Sequence, residues 1–546
     1  MRLFCRRLST KLGPVFTHEL TSSEAGVLTK GEKAEISKLL FFTESSYAKP
    51  PSMTKNAKKD YLDKKLPIVQ KIFGEDPGNP GYLKYTLPKD LPNPYLDAHL
   101  RRVVDPETGK QEYRGVRRLS VTKLLTKRWC ELREAYDIYA KIPIYAHEQV
   151  LEGTAEHQKL EDETHPIPEE WHEFVNEFEL VIPQDHFHEL VSSWFGSTVK
   201  LLNLFVNGRS REVLCHGFIN MNSCEPIEGP VKAEDDVLVS GVIDHLFLRR
   251  KTSKSRVPFA LGDSIIKGPT IDLSVMLEEL SRSGESLKSN YEVVVSDVKT
   301  RSIRKLPAQN SVLRSTKLQV MYYRYFMEIL GANPRLTYEK LLINAQRRGF
   351  DVDAPVDPAK VISIMAAETL VISDMRRLRD GEDLGFKPYD DFYSKEAAIE
   401  EYDLSNYLHL ITDVRVIEQF EEFFTQWSRP VTLRYFAARL AQIYGQVAPL
   451  LSNSLLVEYY CRGDNFHNVE FEYNVDLLKA ECSESAKFWF GHREIQPIKP
   501  SVKIILTHCK RCDYEDVCSW SRQASDNCRN LGKDLASLAD QTKVNL

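Results

Sequence analysis

The spacing of apolar residues divides the chain into stretches of different character. Residues 20 to about 115 hold few apolar positions in any regular period, and Pro50-Pro51, Pro77-Gly78 and Pro80-Gly81 break them further. They read as an extended arm with short helices and little core. From Leu119 the pattern turns helical. Ser120 is placed to cap a helix carrying Val121, Leu124, Leu125, Trp129 and Leu132. Residues 146–162 read as a second helix with Val150, Leu151 and Leu160 on its buried side. Residues 168–206 continue as helix and give way to strand-like Glu212-Val213-Leu214.

Two β-branched runs follow, Asp236 to Leu248 and Tyr291 to Arg301. The polar stretch Arg249 to Asn290 lies between them, so the simplest topology is an antiparallel pair whose hairpin carries a large insertion. Ser315 to Leu330 returns to helical spacing, with Leu318, Met321, Tyr322, Tyr325 and Ile329 on one side. Residues 331–500 read as amphipathic helices and polar loops, a helical elaboration. Strands and helices together predict an α/β core.

The second strand ends in Asp297-Val298-Lys299. Side chains alternate along a strand, so Asp297 and Lys299 share a face and Val298 takes the other. Such a pair can be a plain surface salt bridge, or it can hold a hard metal ion and orient a water. Three further features supply partners. Gly153-Thr-Ala-Glu-His157 puts a histidine on the second helix. Gly241-Val-Ile-Asp244 ends an apolar run in a carboxylate, which is costly there if unpaired. Gln319 and Tyr323 stand four apart on the next helix and share its face. Each has an ordinary alternative: a structural histidine, a turn aspartate, the polar edge of a helix.

Taken together, His157, Asp244, Asp297 and the Val298 carbonyl make a ligand set for Mg²⁺ or Mn²⁺, with positions left for water and a phosphate oxygen. Such an ion lowers the pKa of its water and neutralises charge on the phosphate. Lys299 would orient or deprotonate the nucleophile, or stabilise the pentavalent state.

Sulfur adds a second motif. Of 10 cysteines, Cys509, Cys512 and Cys518 crowd together as C-x₂-C-x₅-C. No secretory signal precedes them, so a disulfide framework is not expected. One more thiolate completes a four-ligand site. Cys130 is the leading candidate, with Cys461, Cys482 and Cys528 in reserve. Thiolate count suits structural zinc as well as an iron–sulfur cluster.

Charge sharpens the picture locally. The 546 residues carry a formal net charge of -5, so any nucleic-acid surface is a patch rather than the whole molecule. From Asp297 to Arg324 the only acid is Asp297, amid Lys299, Arg301, Arg304, Lys305, Arg314, Lys317 and Arg324. Arg301 and Arg304 are the candidate phosphate contacts, and Trp129, Tyr322, Tyr323 and Phe326 the aromatics available for stacking or for the core. No apolar run approaches the roughly 20 residues that span a bilayer. Residues 1–20 carry Arg2, Arg6, Arg7 and Lys11 with no acid before Glu19, the pattern of a mitochondrial transit peptide.

The ordered set His157, Asp244, Asp297-x-Lys299 and Gln319-x-x-x-Tyr323 resembles the RecB-like branch of the PD-(D/E)XK nucleases. Many members carry Glu before x-Lys; here Asp297 shortens the ligand. One cysteine before the core and three after it resembles the branch with an iron–sulfur cluster, and the match is nearest to the exonuclease V family, in particular its fungal mitochondrial members.

That resemblance implies a restriction-endonuclease-like mixed-sheet core whose C-terminus is stapled by a [4Fe-4S] cluster on Cys130, Cys509, Cys512 and Cys518. It implies a metal-dependent exonuclease on single-stranded DNA, 5′-to-3′, releasing short oligonucleotides in mitochondrial genome maintenance. Gln319 and Tyr323 would position the strand or the lysine.

The expected organisation is a transit peptide at 1–20, an arm at 21–115, a nuclease domain at 116–530 with insertions about 249–290 and 331–500, and a tail at 531–546. The chain is expected to be a monomer in the mitochondrial matrix. The alternatives are a non-catalytic nucleic-acid-binding module on the same fold, or a mitochondrial RNA-processing nuclease.

Overall fold

The computed structural model describes residues 74–75, 83–84, 92–99, 101–104, 111–114, 118–140, 148–165, 182–231, 236–253, 272–395, 402–410, 414–499, 502–515 and 518–544. The transit peptide and nearly all of the arm lie outside the described residues. Two compact units are present. One comprises Asp90–Cys130 and Glu152–Glu494; the other includes Glu131–Leu151 and Ile495–Leu546.

The larger unit is α/β, as expected, and is built on a mixed sheet of six strands. They are β1 (Arg118–Ser120), β2 (Arg209–Asn220), β3 (Asp236–Arg250), β4 (Tyr291–Thr300), β5 (Ser454–Cys461) and β6 (Asp464–Glu472). The expected antiparallel pair is β3 and β4.

β3 organises the sheet. Along one edge it pairs antiparallel with β2, from Asp236 to Phe247. Its other edge is shared: β1 runs parallel along residues 238–240, and β4 antiparallel along residues 245–250. Residues 241–244, between the two, have no ladder partner on that side among the described residues. The sheet opens there, at Gly241-Val-Ile-Asp244. Beyond β4, β5 runs parallel to it, and β6 returns antiparallel. Arg462 and Gly463 close that hairpin with φ of 55° and 88°, as a type I′ turn requires.

Three expectations are corrected. The polar excursion contains a helix, which spans Leu273–Asn290. Its serines mask Leu273, Met276, Leu277, Leu280 and Leu287, which are spaced for one buried face. Residues 331–500 are not wholly helical, because β5 and β6 return to complete the core sheet. The helix after Ser120 is two 3₁₀ turns, Val121–Leu124 and Thr126–Arg128, and Ser120 makes no side-chain capping bond.

α1 (Glu131–Ala140) belongs to the smaller unit, and the helices around the site are α2 (Glu148–Thr164), α3 (His186–Asn207), α4 (Leu273–Asn290) and α5 (Asn310–Ala332). The outer layer adds α6 (Ile372–Asp380), α7 (Leu433–Val447) and α8 (Val475–Trp489). α3 starts at Asp185, whose side chain accepts from the His188 N–H, and ends at Gly208 with φ 71°.

α5 lies against the sheet over two glycines. A Cβ at Gly217 would collide with the Phe326 ring, and one at Gly241 would sit 2.7 Å from the Tyr323 ring. Tyr322, Tyr323 and Phe326 are therefore core residues, nearly inaccessible to a base.

Two buried polar knots fix these layers. Glu458 of β5 is fully buried; it pairs with His245 Nδ1 at 3.0 Å and accepts from Ser296 Oγ and Tyr460 Oη. β3, β4 and β5 are thereby held in register. In the helical layer, Asp374 of α6 accepts from Arg439 Nε and Tyr435 Oη of α7 and from Ser274 Oγ of α4. A buried carboxylate so surrounded is compensated; removing its partners would strand a charge.

Candidate active site

β4 carries the Asp-x-Lys pair, and the alternation of the strand holds. Val298 points into an apolar cluster with Leu160 and Tyr460. Asp297 and Lys299 share the other face, with Lys299 Nζ 2.6 Å from Asp297 Oδ2. Asp297 is fully buried, whereas Lys299 keeps its side chain partly exposed. The pair is therefore not a surface salt bridge. Neither Asp297 oxygen has a well-aligned hydrogen-bond donor among the described residues. Burial pushes its pKa up to about 7, helped by the nearby Asp244 charge and opposed by Lys299. A buried carboxylate paired only with the Lys299 ammonium keeps lone pairs that a further cation can take.

Asp244 stands where β3 has lost its ladder partner. Its Oδ2 accepts the Val298 main-chain N–H at 2.8 Å. Its Oδ1 lies 3.9 Å from His157 Nδ1, and Glu212 Oε1 lies 3.5 Å from the same nitrogen. Donor atoms of His157, Glu212 and Asp244 lie within 4.8 Å of one another. Burial works against charge on His157, but the hydrogen bond with Glu212 and the Asp244 and Glu212 carboxylates outweigh it and raise its pKa above the usual value.

Glu212 was not among the residues predicted for the site. It sits in β2 between Arg211, paired with His245, and Val213, paired with Ile243, and has no Cα partner of its own. The register is the same on either side, so Glu212 lies level with Asp244, at φ 51°, a conformation L-residues seldom adopt outside glycine, asparagine and aspartate. From there its carboxylate reaches His157. Lys200 of α3 supports it, with Nζ on the Glu212 carbonyl at 3.2 Å and on Glu161 Oε1 at 2.6 Å. The only signal in the sequence was a charged residue within an otherwise strand-like run.

Two glycines allow this convergence. A Cβ at Gly153 would meet Thr300 Oγ1 at 2.8 Å, so α2 can press His157 against the end of β4 only with glycine there. Gly241 does the same for Tyr323. Gln319 Nε2 donates to Tyr323 Oη at 2.7 Å. That leaves the phenolic proton to be given to an acceptor. Burial, then the Asp244 and Asp297 charges, raise the Tyr323 pKa well above its ordinary value, so the hydroxyl stays protonated.

The basic run divides. Arg324 is buried and committed to structure, with Nε on the Ser452 carbonyl at 3.0 Å. Arg314 pairs with Glu481 at 2.5 Å and Arg304 with Asp464 at 2.6 Å. Arg304 and Asp464 are both well exposed, so that pair is weak and open to exchange for a phosphate. Arg301 donates from Nε to the Lys305 carbonyl at 3.3 Å.

The C-terminal thiols belong to the smaller unit. Cys509 and Cys512 flank one 3₁₀ turn, the Cys512 N–H bonding the Cys509 carbonyl at 3.0 Å. The Cys518 N–H bonds the Tyr514 carbonyl. Within this unit α1 packs on the cysteine loop: Tyr136 stacks on Tyr514 at 4.9 Å, and Tyr514 Oη donates to Asp137 at 2.7 Å. Cys130, in the larger unit, is the residue before α1. Cys461 and Cys482 are buried in the larger unit. The cysteines with described side chains form no disulfide.

A mixed-sheet α/β architecture with an imidazole and three carboxylates gathered at a sheet opening defines an α/β protein whose polar site has the donor types a hydrolase can use. The comparisons narrow it. The sequence profile of the family described as "Exonuclease V - a 5′ deoxyribonuclease" matches residues 110–521. The chain is 47% identical to "Exonuclease V, mitochondrial" of Vanderwaltozyma polyspora over 96% of each chain. It is 42% identical to the protein of that name from Eremothecium gossypii, over 89% of this chain and 92% of that one. Against the Saccharomyces cerevisiae protein of that name the identity is 36%, over 95% and 91%.

The chain belongs to the exonuclease V family; it is a DNA exonuclease, a hydrolase of phosphodiester bonds. Like these relatives it is mitochondrial. Among the described residues no helix is long and apolar enough to cross a membrane.

Proposed function

We propose that the chain is a metal-dependent exonuclease that degrades single-stranded DNA from the 5′ end to short oligonucleotides, as a monomer in the mitochondrial matrix, in mitochondrial DNA maintenance. The core is read as the PD-(D/E)XK type. The observation that carries this reading is the meeting of His157, Glu212 and Asp244 beside a fully buried Asp297 whose ion-pair partner is Lys299. One imidazole and several carboxylates are the donors that Mg²⁺ or Mn²⁺ accepts. His157, Glu212, Asp244, Asp297 and the Val298 carbonyl would hold the ion. When bound, it supplies Lewis acidity and a water of lowered pKa.

The chain's own groups do the rest. Lys299, tethered to Asp297, presents an ammonium at the edge of the pocket to orient the attacking water and to meet charge developing on the phosphate. Tyr323, with its oxygen already accepting from Gln319, donates its proton toward the carboxylates or a phosphate oxygen. Gln319 acts through Tyr323 as a positioning residue. Arg301 and Arg304 bind phosphates further along the strand.

A [4Fe-4S] cluster on Cys130, Cys509, Cys512 and Cys518 would join the two ends of the nuclease region. The short turn between Cys509 and Cys512 suits adjacent thiolate ligands. The part of Cys130 rests on the sequence resemblance.

Asp297→Asn tests the reading. It removes a ligand charge while keeping shape, so Mg²⁺-dependent cleavage of a single-stranded oligonucleotide should fall by roughly 10²-fold or more, with DNA binding retained. Undiminished cleavage overturns the site. Duplex, RNA and end-blocked substrates separate DNA exonuclease action from RNA processing.

A further inference from the structure

We propose that Arg128 binds the scissile phosphodiester, holding it against the opening of the sheet where Asp244 and Asp297 converge. The inference rests on the active site argued above and extends it to the substrate's phosphate. Four observations lead there.

The 3₁₀ segment Val121–Arg128 follows β1 directly, and β1 is the strand that ends where β3 becomes unpaired. That segment walls the opening. A Cβ at Gly241 would touch the Val121 side chain at 2.9 Å as well as Tyr323. Secondly, consecutive cations diverge. Lys127 turns outward to Glu481 at 3.2 Å, while Arg128 is drawn inward, half-buried, within electrostatic reach of Asp297.

Thirdly, the Arg128 guanidinium is uncommitted. Its Nε is buried without a hydrogen-bond partner, and among the described residues it forms no ion pair. Burial works against its charge, and the Asp297 carboxylate only partly supports it. A buried, unsatisfied donor of this kind is costly in the free protein and is satisfied when an anion arrives. Fourthly, neighbouring cations have partners: Lys299 is tethered to Asp297, Arg314 to Glu481, and Arg324 to the Ser452 carbonyl.

Chemistry favours this use. Glu212, Asp244 and Asp297 make a strongly acidic pocket into which a phosphodiester must bring further negative charge. A planar guanidinium meets two non-bridging oxygens with parallel hydrogen bonds, which an ammonium cannot do. The same bonds strengthen as negative charge builds on those oxygens during attack.

The test uses the full-length protein, Mg²⁺ and a 5′-labelled single-stranded oligonucleotide. For Arg128→Met, kcat should fall by about 10²-fold with a smaller change in KM, as for loss of one donor to a developing anion. Arg128→Lys should recover only part of the loss. Added guanidinium chloride should restore turnover to Arg128→Ala but leave the parent unaccelerated, a rescue that a purely structural role cannot produce. The Mg²⁺ concentration for half-maximal rate should not move.

Arg128→Met within twofold of the parent, or an Arg128→Ala defect indifferent to guanidinium, overturns the proposal. Asp297→Asn run alongside separates the two readings. If it is inactive while Arg128→Met is normal, only the phosphate contact fails. If it is fully active, the site itself fails.

Discussion

The Val298 main-chain N–H donates to Asp244 Oδ2 at 2.8 Å, so a side chain of β3 stands in for a ladder partner of β4. That substitution lets the two strands part without leaving a buried donor unsatisfied. It also turns Asp244 so that its second oxygen meets His157. Structural and functional roles therefore meet in one carboxylate. Asp244→Ala should lower stability by about 1–3 kcal/mol through the orphaned N–H, in addition to abolishing cleavage. Urea denaturation alongside the cleavage assay separates the two losses.

Glu212 trades conformation for chemistry. At φ 51° it costs roughly 1–2 kcal/mol that glycine would not. Glu212→Gly should thus fold as stably as the parent or more so. It should nevertheless weaken Mg²⁺-dependent cleavage by at least about 10-fold, through loss of a ligand carboxylate. A cleavage rate equal to that of the parent at limiting Mg²⁺ would remove Glu212 from the site.

Asp297 makes stability depend on pH in an unusual direction. Its folded pKa is raised to about 7 from an ordinary 3.8, so between those values the folded state holds the proton that the unfolded state has lost. Stability from this group is full below the unfolded pKa and declines as pH rises toward the folded one. In chelator, Asp297→Asn should gain in Tm relative to the parent as pH rises from 4 to 8. Mg²⁺ should raise the parent's Tm more at pH 8 than at pH 6, because protons on Asp297 and His157 compete with the ion. Differential scanning fluorimetry across that range measures both, and a pH-independent difference contradicts the assignment.

Asp374 is a stability residue with no part in the chemistry. Asp374→Ala strands the buried Arg439 guanidinium and should cost about 3–5 kcal/mol. Cleavage per folded molecule should be unchanged at low temperature, as chemical denaturation and active-site titration together will show.

Cys512→Ser tests the thiolate site. Anaerobically purified parent should absorb in the visible and contain iron and sulfide, and the variant should lose both. A colourless parent with stoichiometric zinc would replace the cluster by a structural metal.

Much of this protein was legible from its sequence, because the signals concerned are local. Alternation placed Asp297 and Lys299 on one face and Val298 in the core, since a strand's side-chain period is two whatever surrounds it. The i,i+4 spacing brought Gln319 to Tyr323, and the glycine at 241 permitted a close approach, whereas the one at Gly153 shows only once α2 packs on the end of β4. Other features depended on chain segments meeting across long separations. Glu212 became a site residue only because β2 pairs with β3 in a register that sets it level with Asp244, and pairing is a property that one strand cannot display.

Ser454–Cys461 joined the sheet only by finding β4 more than 150 residues earlier, at Leu456 against Ser296 and Tyr460 against Thr300. Arg324 and Arg128 are both arginines within the nuclease region, yet packing buries one among structural acceptors and leaves the Nε of the other without a hydrogen-bond partner among the described residues, within electrostatic reach of Asp297. Residue types and periods thus determined which groups were available. The pairing of β3 with three different strands decided which of them share a pocket, because burial and charge there depend on neighbours the local sequence does not contain.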